Sequence, residues 1–252
     1  MNDIIDIHTH PHWVDPVVRM RGMIRVAKGV GITQIVVLGG NLGYGWKPTP
    51  AQVSEINDLT IDLVSRWPKE LIAFVRLNAG LPRAFLEEEI DRCFATGLFK
   101  GIKLAVWPNA RSKRLDPVMR MAQKLGAVVL HHCWYKTVQK YGGESDPTDI
   151  AHLARRFPDV PIIMPHLSGC GCRGVLDVGP YDNVYVDTSG SQATSGMVEY
   201  AVSILGPRRV LFGSDAFGRD FSVQLGRVLG ARISKAHKRM LLRDNAIGLL
   251  GL

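Results

Sequence analysis

Eight short apolar segments alternate with amphipathic segments along the chain, and this alternation limits the fold more than any other feature. Several of the apolar segments are continuous runs rich in β-branched residues, such as Ile35-Val36-Val37-Leu38, which is typical of strands buried on both faces. The predicted strands are residues 4–10, 34–39, 71–77, 101–106, 127–133, 161–167, 184–189 and 210–215. Strand followed by helix, eight times in 252 residues, predicts an α/β fold, a single-domain (β/α)8 TIM-like barrel over residues 1–252.

Helix start signals support the segments between the strands. Thr49-Pro50 with Gln52 is typical of an N-cap, a proline in the first turn and a capping-box partner. The competing fold is a doubly wound open sheet, which usually carries a Gly-x-Gly-x-x-Gly turn after its first strand. That turn is missing here, because His8-Thr9-His10-Pro11-His12 follows the first strand instead. The sequence therefore favours the closed barrel.

Histidine and aspartate side chains stand at the carboxyl ends of four predicted strands. In barrel enzymes these ends form the active site. Imidazole and carboxylate groups are ligands for borderline divalent ions. The candidate residues are His8 and His10 at the end of strand one, His131 and His132 at the end of strand five, His166 at the end of strand six, and Asp215 at the end of strand eight. Their convergence predicts a metal site at the barrel mouth.

These motifs resemble those of the amidohydrolase superfamily, in its branch of amidohydrolase-related metal-dependent hydrolases. Asp-Ile-His-Thr-His opens the chain, Pro-His-Leu-Ser-Gly follows strand six, Val-Tyr-Val-Asp-Thr-Ser-Gly forms strand seven, and Leu-Phe-Gly-Ser-Asp closes strand eight. The resemblance covers nearly the whole chain and implies a (β/α)8 barrel. It also implies a ligand set of His8, His10, His132, His166 and Asp215.

The strand-five ligand is a choice between two adjacent histidines. The family pattern is a histidine followed by a small residue and often Trp, which His132-Cys133-Trp134 fits better than His131 does. We therefore expect His132 to be the ligand and His131 to be a packing or supporting residue. Asp6, two residues before His8, is expected either to hold a ligand imidazole in one tautomer or to be an inward-facing structural residue.

The resemblance implies a hydrolase that cleaves an amide, ester or lactone bond of a small molecule. Water activated by the metal would attack the bond, with Asp215 as general base and then acid and His132 as the second catalytic residue. The alternative within the same branch is a non-oxidative decarboxylase that acts on an unsaturated or aromatic carboxylic acid. A barrel that has lost catalysis and only binds a ligand is the third interpretation, and the intact ligand set argues against it.

Three further residues are predicted to bind substrate. Lys103 lies in the middle of strand four, where an unpaired buried ammonium group is costly. It is expected either to meet a substrate carboxylate or phosphate or, as in two-metal members of the superfamily, to be carbamylated and to bridge two ions. Arg76, at the end of strand three, is a second candidate for an anion, and Trp134 is a candidate wall for an aromatic or cyclic substrate.

The predicted cofactor is one divalent ion rather than two, with zinc as first choice and manganese, iron, cobalt or nickel as alternatives. The net charge of +8 raises the question of nucleic acid, but the basic residues are scattered and no nucleic-acid-binding motif accompanies them. We expect neither nucleic-acid nor membrane partners, and a cytoplasmic location. Family habit suggests a homo-oligomer, although no interface can be identified from the residues.

Overall fold

The computed structural model describes residues 3–40, 43–136, 140–192 and 194–252, and it contains an eight-stranded parallel sheet. Each strand pairs with the next one in the chain. The strands are β1 (Ile4–Thr9), β2 (Ile32–Val37), β3 (Leu71–Leu77), β4 (Phe99–Leu104), β5 (Val128–His131), β6 (Ile162–Met164), β7 (Val184–Asp187) and β8 (Val210–Leu211). Backbone hydrogen bonds from Ile7 N to Phe212 O (3.0 Å) and from Asp215 N to His8 O (2.8 Å) join the two ends of the sheet. The predicted single-domain barrel is confirmed.

Helices follow the strands around the outside of the barrel. They are α1 (Pro16–Gly29), α2 (Pro50–Arg66), α3 (Arg83–Phe94), α4 (Asp116–Leu125), α5 (Pro147–Arg156), α6 (Leu167–Val178), α7 (Met197–Leu205), α8 (Phe221–Leu229), α9 (Lys235–Arg239) and α10 (Asn245–Leu250). Thr49 and Gln52 form the predicted capping box of α2. In the part of the chain that the structure describes, no helix is both long enough and apolar enough to cross a bilayer.

Seven of the eight strands end earlier than the apolar pattern predicted, and β3 ends at Leu77 as predicted. β6 ends at Met164 and β8 at Leu211, so His166 and Asp215 lie in the turns that follow. Both residues have left-handed backbone conformations, with φ angles of 63° and 64°. Such angles are uncommon for residues other than glycine and asparagine. The chain therefore turns over the barrel mouth at the positions that carry two of the predicted ligands.

Two buried layers hold the barrel together. The larger one packs the strands against the helices. The smaller one includes Phe74 and Leu130 and lies on the same strand faces as Arg76 and His132, which are two residues further along. Because Arg76 and His132 line the cavity at the barrel mouth, this smaller cluster fills the barrel beneath that cavity.

The last helix completes the filling of the barrel from the opposite end. Ala246 and Leu250 of α10 belong to the same inner cluster as Phe74 and Leu130. The barrel is therefore a packed core with a cavity at its carboxyl end, as expected for this architecture.

Candidate active site

A cavity of about 500 Å³ opens at the carboxyl ends of the strands. All the residues predicted to form the site lie along its wall: His8, His10, Arg76, Lys103, His132, Trp134, His166 and Asp215. They come from six strands or the turns after them. The barrel therefore brings together side chains that are up to about two hundred residues apart in the sequence.

Three of these residues form a group with the geometry of a metal site. Ligand atoms of His8, His10 and Asp215 all lie within 4.8 Å of one another. The Oδ1 atom of Asp215 is 3.7 Å from His8 Nε2 and 3.8 Å from His10 Nε2. His8 Nε2 is buried and has no hydrogen-bond partner among the described residues. An unpartnered imidazole nitrogen facing a second imidazole and a carboxylate fits a divalent cation.

Hydrogen bonds at Nδ1 fix the orientation of the His8 and His10 rings. His8 Nδ1 lies 2.7 Å from Asp187 Oδ2, and His10 Nδ1 lies 2.8 Å from the carbonyl oxygen of Gly39. A carbonyl or carboxylate oxygen can only accept, so each Nδ1 carries the hydrogen and donates it. The lone pair of each neutral ring is therefore on Nε2, which faces Asp215.

Asp187, at the end of β7, orients His166 as well as His8. The Ser189 hydroxyl donates to Asp187 Oδ1 and accepts from His166 Nδ1, 3.0 Å away. The His166 and His8 rings have centroids 5.0 Å apart. Burial alone would raise the pKa of Asp187, but His8 and the Ser189 hydrogen bonds outweigh it and lower the pKa. One carboxylate thus supports two of the predicted ligands.

Sequence reasoning did not select Asp187. The signal was present, since Asp187 stands at the end of an apolar strand as Asp215 follows one. Asp6, the carboxylate considered for this task, contacts no imidazole nitrogen among the described residues. Its Oδ1 accepts from the backbone N–H groups of His8 and Ser214, both at 3.0 Å. Burial raises its pKa to about 7. The structural interpretation of Asp6 is therefore the one that its contacts support.

The two adjacent histidines of strand five face different environments. His132 lines the cavity, and its ring centroid is 5.2 Å from that of His166. His131 is fully buried, is not among the cavity residues, and places Nδ1 2.8 Å from the carbonyl oxygen of His132. The fold thus brings His132 into the cavity. His132 and His166 border the group of three without belonging to it, so their roles as ligands remain predictions.

Glu144 is a buried carboxylate of the cavity that no sequence motif singles out. It follows His132 by twelve residues, in a segment without regular periodicity. It accepts hydrogen bonds from His132 Nε2 (2.9 Å), Lys136 Nζ (3.0 Å) and the backbone N–H of Tyr141 (3.1 Å). Burial alone would raise the pKa of Glu144, but these three donors outweigh it and lower the pKa to about 2.

Burial favours the neutral form of three cavity imidazoles, those of His10, His132 and His166. Burial lowers the pKa of His10 and of His166 well below the usual value and lowers that of His132 to about 4. A neutral imidazole is the form that binds a metal. Burial has the opposite effect on the pKa of Asp215, which it raises.

Two buried cations lie side by side on the cavity wall. Arg76 and Lys103 are direct neighbours in the β3–β4 pair and are only 5% and 3% exposed. Among the described residues, neither head group has a hydrogen-bond partner. Burial, followed by repulsion from Arg76, lowers the pKa of Lys103 to about 7, and burial lowers that of Arg76 to about 10. Like charges at paired strand positions are unfavourable, so an anion that neutralised them would bind strongly.

Aromatic rings form the side of the cavity next to the histidines. The Trp134 ring packs on His166 with centroids 5.1 Å apart. Trp46 and Tyr141 contact each other at 5.9 Å, and Lys136 Nζ lies 4.3 Å from the centroid of the Tyr141 ring. The cavity therefore offers flat apolar surfaces beside its cationic wall.

Comparisons with known proteins were made against families and solved structures. A sequence model described as Amidohydrolase matches residues 5–252. No curated protein sequence matches the chain. Similar structures include a Staphylococcus aureus protein assigned to the amidohydrolases, with 14% identity, a TM-score of 0.82, and coverage of 99% of this chain and 100% of that one.

Two further similar structures are decarboxylases. Dihydroxybenzoic acid decarboxylase from Polaromonas sp. JS666, with bound manganese and 2-nitroresorcinol, has 15% identity and a TM-score of 0.82, covering 100% of this chain and 98% of that one. 5-Carboxyvanillate decarboxylase from Sphingomonas paucimobilis has 14% identity and a TM-score of 0.79, covering 100% of both chains. These structures share the fold. Because the family model spans nearly all residues, the chain belongs to the amidohydrolase family.

Proposed function

We propose that this protein is a metal-dependent, non-oxidative decarboxylase of an unsaturated or aromatic carboxylic acid. The observation that carries the proposal is the pair of buried cations, Arg76 and Lys103, on the wall of a cavity that also holds His8, His10 and Asp215. Asp215 and Asp187 attract Lys103, but among the described residues neither cation forms a hydrogen bond or ion pair. Buried positive charges in that state are costly, and a substrate carboxylate would supply a directly bound negative charge. The structural relatives that decarboxylate aromatic acids are consistent with this proposal.

The donor set fits a divalent ion, held by His8, His10 and Asp215 with His132 and His166 as the further predicted ligands. Neutral imidazole and carboxylate donors suit both zinc and manganese. We propose one ion, since the described residues contain one compact group of donors. Such an ion would supply Lewis acidity to a substrate oxygen beside it.

The side chains have separate tasks in the proposed reaction. Arg76 and Lys103 would bind the carboxylate and so fix the position of the carbon that bears it. Asp215, which faces the Nε2 atoms of His8 and His10, would deliver a proton to that carbon. The bond to the carboxylate carbon then breaks, its electron pair returns to the unsaturated system, and carbon dioxide leaves. Trp134 would contact the face of the substrate ring.

Hydrolysis of an amide, ester or lactone is the second candidate. It is favoured by the position of Asp215, whose carboxylate lies 3.7 and 3.8 Å from the two Nε2 atoms of His8 and His10. A proton acceptor at this position could serve an attacking water molecule as well. The cation pair does not discriminate between the candidates if the hydrolysed substrate is itself an anion.

A substrate panel separates the two candidates. The protein, purified without chelator and assayed for metal by elemental analysis, is incubated with hydroxylated aromatic acids, unsaturated acids, lactones and esters. We expect carbon dioxide release from an acid, about one metal equivalent per chain, and loss of that metal in His166→Ala. Hydrolysis of a lactone or ester without carbon dioxide release from any acid would reject the decarboxylase proposal.

A further inference from the structure

We propose that Glu144 is a positioning residue that fixes the tautomer and direction of His132 and thereby strengthens binding of the divalent ion. This inference rests on the metal site of the proposed function, with His132 as a ligand, and does not depend on which reaction the site performs. Glu144 itself does not belong to the group of His8, His10 and Asp215.

The contacts of Glu144 determine which nitrogen of His132 carries the hydrogen. The Glu144 carboxylate is 1% exposed. Its Oε1 accepts from Lys136 Nζ at 3.0 Å and its Oε2 from the backbone N–H of Tyr141 at 3.1 Å. An ammonium group and a backbone N–H can only donate. The contact of 2.9 Å between Oε1 and His132 Nε2 is therefore a hydrogen bond donated by Nε2–H.

A neutral imidazole with its hydrogen on Nε2 has its lone pair on Nδ1. His132 thus offers Nδ1 to a metal ion. The arrangement is reversed in His8, His10 and His166, whose Nδ1 atoms donate to Asp187, Gly39 O and the Ser189 hydroxyl. In these three histidines, the ring nitrogen that remains available to a metal ion is Nε2. Glu144 therefore performs for His132, from the opposite ring nitrogen, what Asp187 performs for His8.

The backbone around Glu144 holds its carboxylate in place. Gly143 has φ 85°, and a Cβ atom there would lie 2.6 Å from the Trp107 ring. On the other side, the carbonyl oxygen of Ser145 accepts from Trp134 N at 3.0 Å, and its hydroxyl accepts from Ala110 N at 2.9 Å. Because the residues on both sides of Glu144 are held in place, its carboxylate can hold an imidazole in one orientation. A mobile side chain could not do so.

The test uses Glu144→Gln and titration of the metal-free protein with Mn²⁺ alone. A glutamine amide has one accepting and one donating end, so one of the three donors around residue 144 would meet an NH₂ group. We expect the dissociation constant for Mn²⁺ to rise by about ten- to a hundredfold. The matched control is Asp149→Asn, which alters a buried carboxylate that binds Asn109 and Arg111 outside the cavity. We expect unchanged Mn²⁺ affinity in this control.

A second comparison separates positioning from a general structural effect. If Glu144 acts through His132, Glu144→Gln should not weaken Mn²⁺ binding further in a His132→Ala background. Unchanged affinity in Glu144→Gln, or an equal loss in both backgrounds, would overturn the proposal. Absence of carbon dioxide release from every acid would reject the proposed reaction and leave this result standing.

A measurement on the unaltered protein decides the question even if the variants fail to fold. Nitrogen chemical shifts of the protein labelled at histidine report which ring nitrogen carries the hydrogen. We expect the hydrogen of His132 on Nε2. A hydrogen on His132 Nδ1 would contradict the proposal without any substitution.

Discussion

Asp187 Oδ2 and His8 Nδ1 lie 2.7 Å apart at the floor of the cavity, and both side chains are completely buried. This contact joins the first strand to the seventh, which are separated in the closed sheet only by β8. It fixes the ring of His8 so that its unpartnered Nε2 faces Asp215. The candidate metal site therefore depends on a carboxylate that lies outside the group of His8, His10 and Asp215.

Asp187→Asn should weaken both metal binding and folding. All the groups around the Asp187 carboxylate are donors, so an amide NH₂ would meet one of them. We expect Mn²⁺ affinity to fall by about ten- to a hundredfold and the free energy of unfolding to fall by about 1–3 kcal/mol. Metal titration and urea unfolding measure the two effects. Asp62→Asn, at an exposed ion pair with Arg66, is the control and should change neither appreciably.

Lys103→Met should make the protein more stable while removing its activity. Burial lowers the pKa of Lys103 from the ordinary 10.5 to about 7, so the folded state binds fewer protons than the unfolded state between these values. The stability penalty of the lysine is therefore largest below pH 7 and shrinks as the pH rises towards 10.5. We expect a gain of roughly 3 kcal/mol at pH 6 and a smaller gain at pH 9. Urea unfolding at both pH values tests this, and an equal gain at both would contradict it.

The rate should fall as the pH rises through about 7, if protonated Lys103 binds the substrate carboxylate. The pH profile of kcat/KM reports the pKa values of groups in the free enzyme, and the pKa of Lys103 is lowered to about 7. We expect this descending limb in the parent protein. In Lys103→Met, kcat/KM should be low and should lack that limb. A limb that persisted in the variant would assign it to another group.

Gly101→Ala should destabilise the barrel beneath the site. A Cβ atom at Gly101 would lie 2.6 Å from the Phe74 ring and 2.7 Å from the carbonyl oxygen of Val128. The backbone contact cannot be relieved by moving a side chain, so we expect a loss of about 1–3 kcal/mol. Gly22→Ala, in α1 with open space around the position, should instead stabilise by about 0.5–1 kcal/mol. Thermal unfolding of both variants compares the two environments.

Metal removal should lower the melting temperature. The proposed ion would bind the folded site formed by His8, His10 and Asp215, and a ligand at a hundred times its dissociation constant stabilises the folded state by about 2.7 kcal/mol. For a chain of this size that corresponds to a shift of roughly 5–10 °C. Calorimetry after dialysis against a chelator, and after Mn²⁺ is restored, measures the shift. In His10→Ala the added Mn²⁺ should have a much smaller effect.

The sequence was sufficient to predict the barrel and the histidines and aspartate at its mouth. Alternating apolar runs identified all eight strands, and the position of His8, His10, His166 and Asp215 at strand ends brought them into one cavity. The ends of all the strands except β3 were placed too late, because apolar composition continues into the turns. Left-handed conformations at His166 and Asp215 depend on tertiary contacts that no local pattern records.

Other parts of the site had weaker signals or none. Asp187 follows the same strand-end rule as Asp215, so it could have been selected. Glu144 and Lys136 lie in the segment between β5 and α5, which has no periodicity. Only the folded chain reveals that Glu144 accepts hydrogen bonds from both His132 and Lys136. Loop residues reach a site by the path of the loop, which hydrophobic patterning does not encode.

The filling of the barrel by Phe74, Leu130 and the α10 residues Ala246 and Leu250 has a consequence for turnover. Within the described residues, this packing leaves no passage along the barrel axis. Substrate and product would therefore enter and leave through the same opening, at the carboxyl ends of the strands. An aromatic product that stayed bound in the cavity would prevent the next substrate molecule from binding. We therefore expect competitive product inhibition. Carbon dioxide, being small, would escape first.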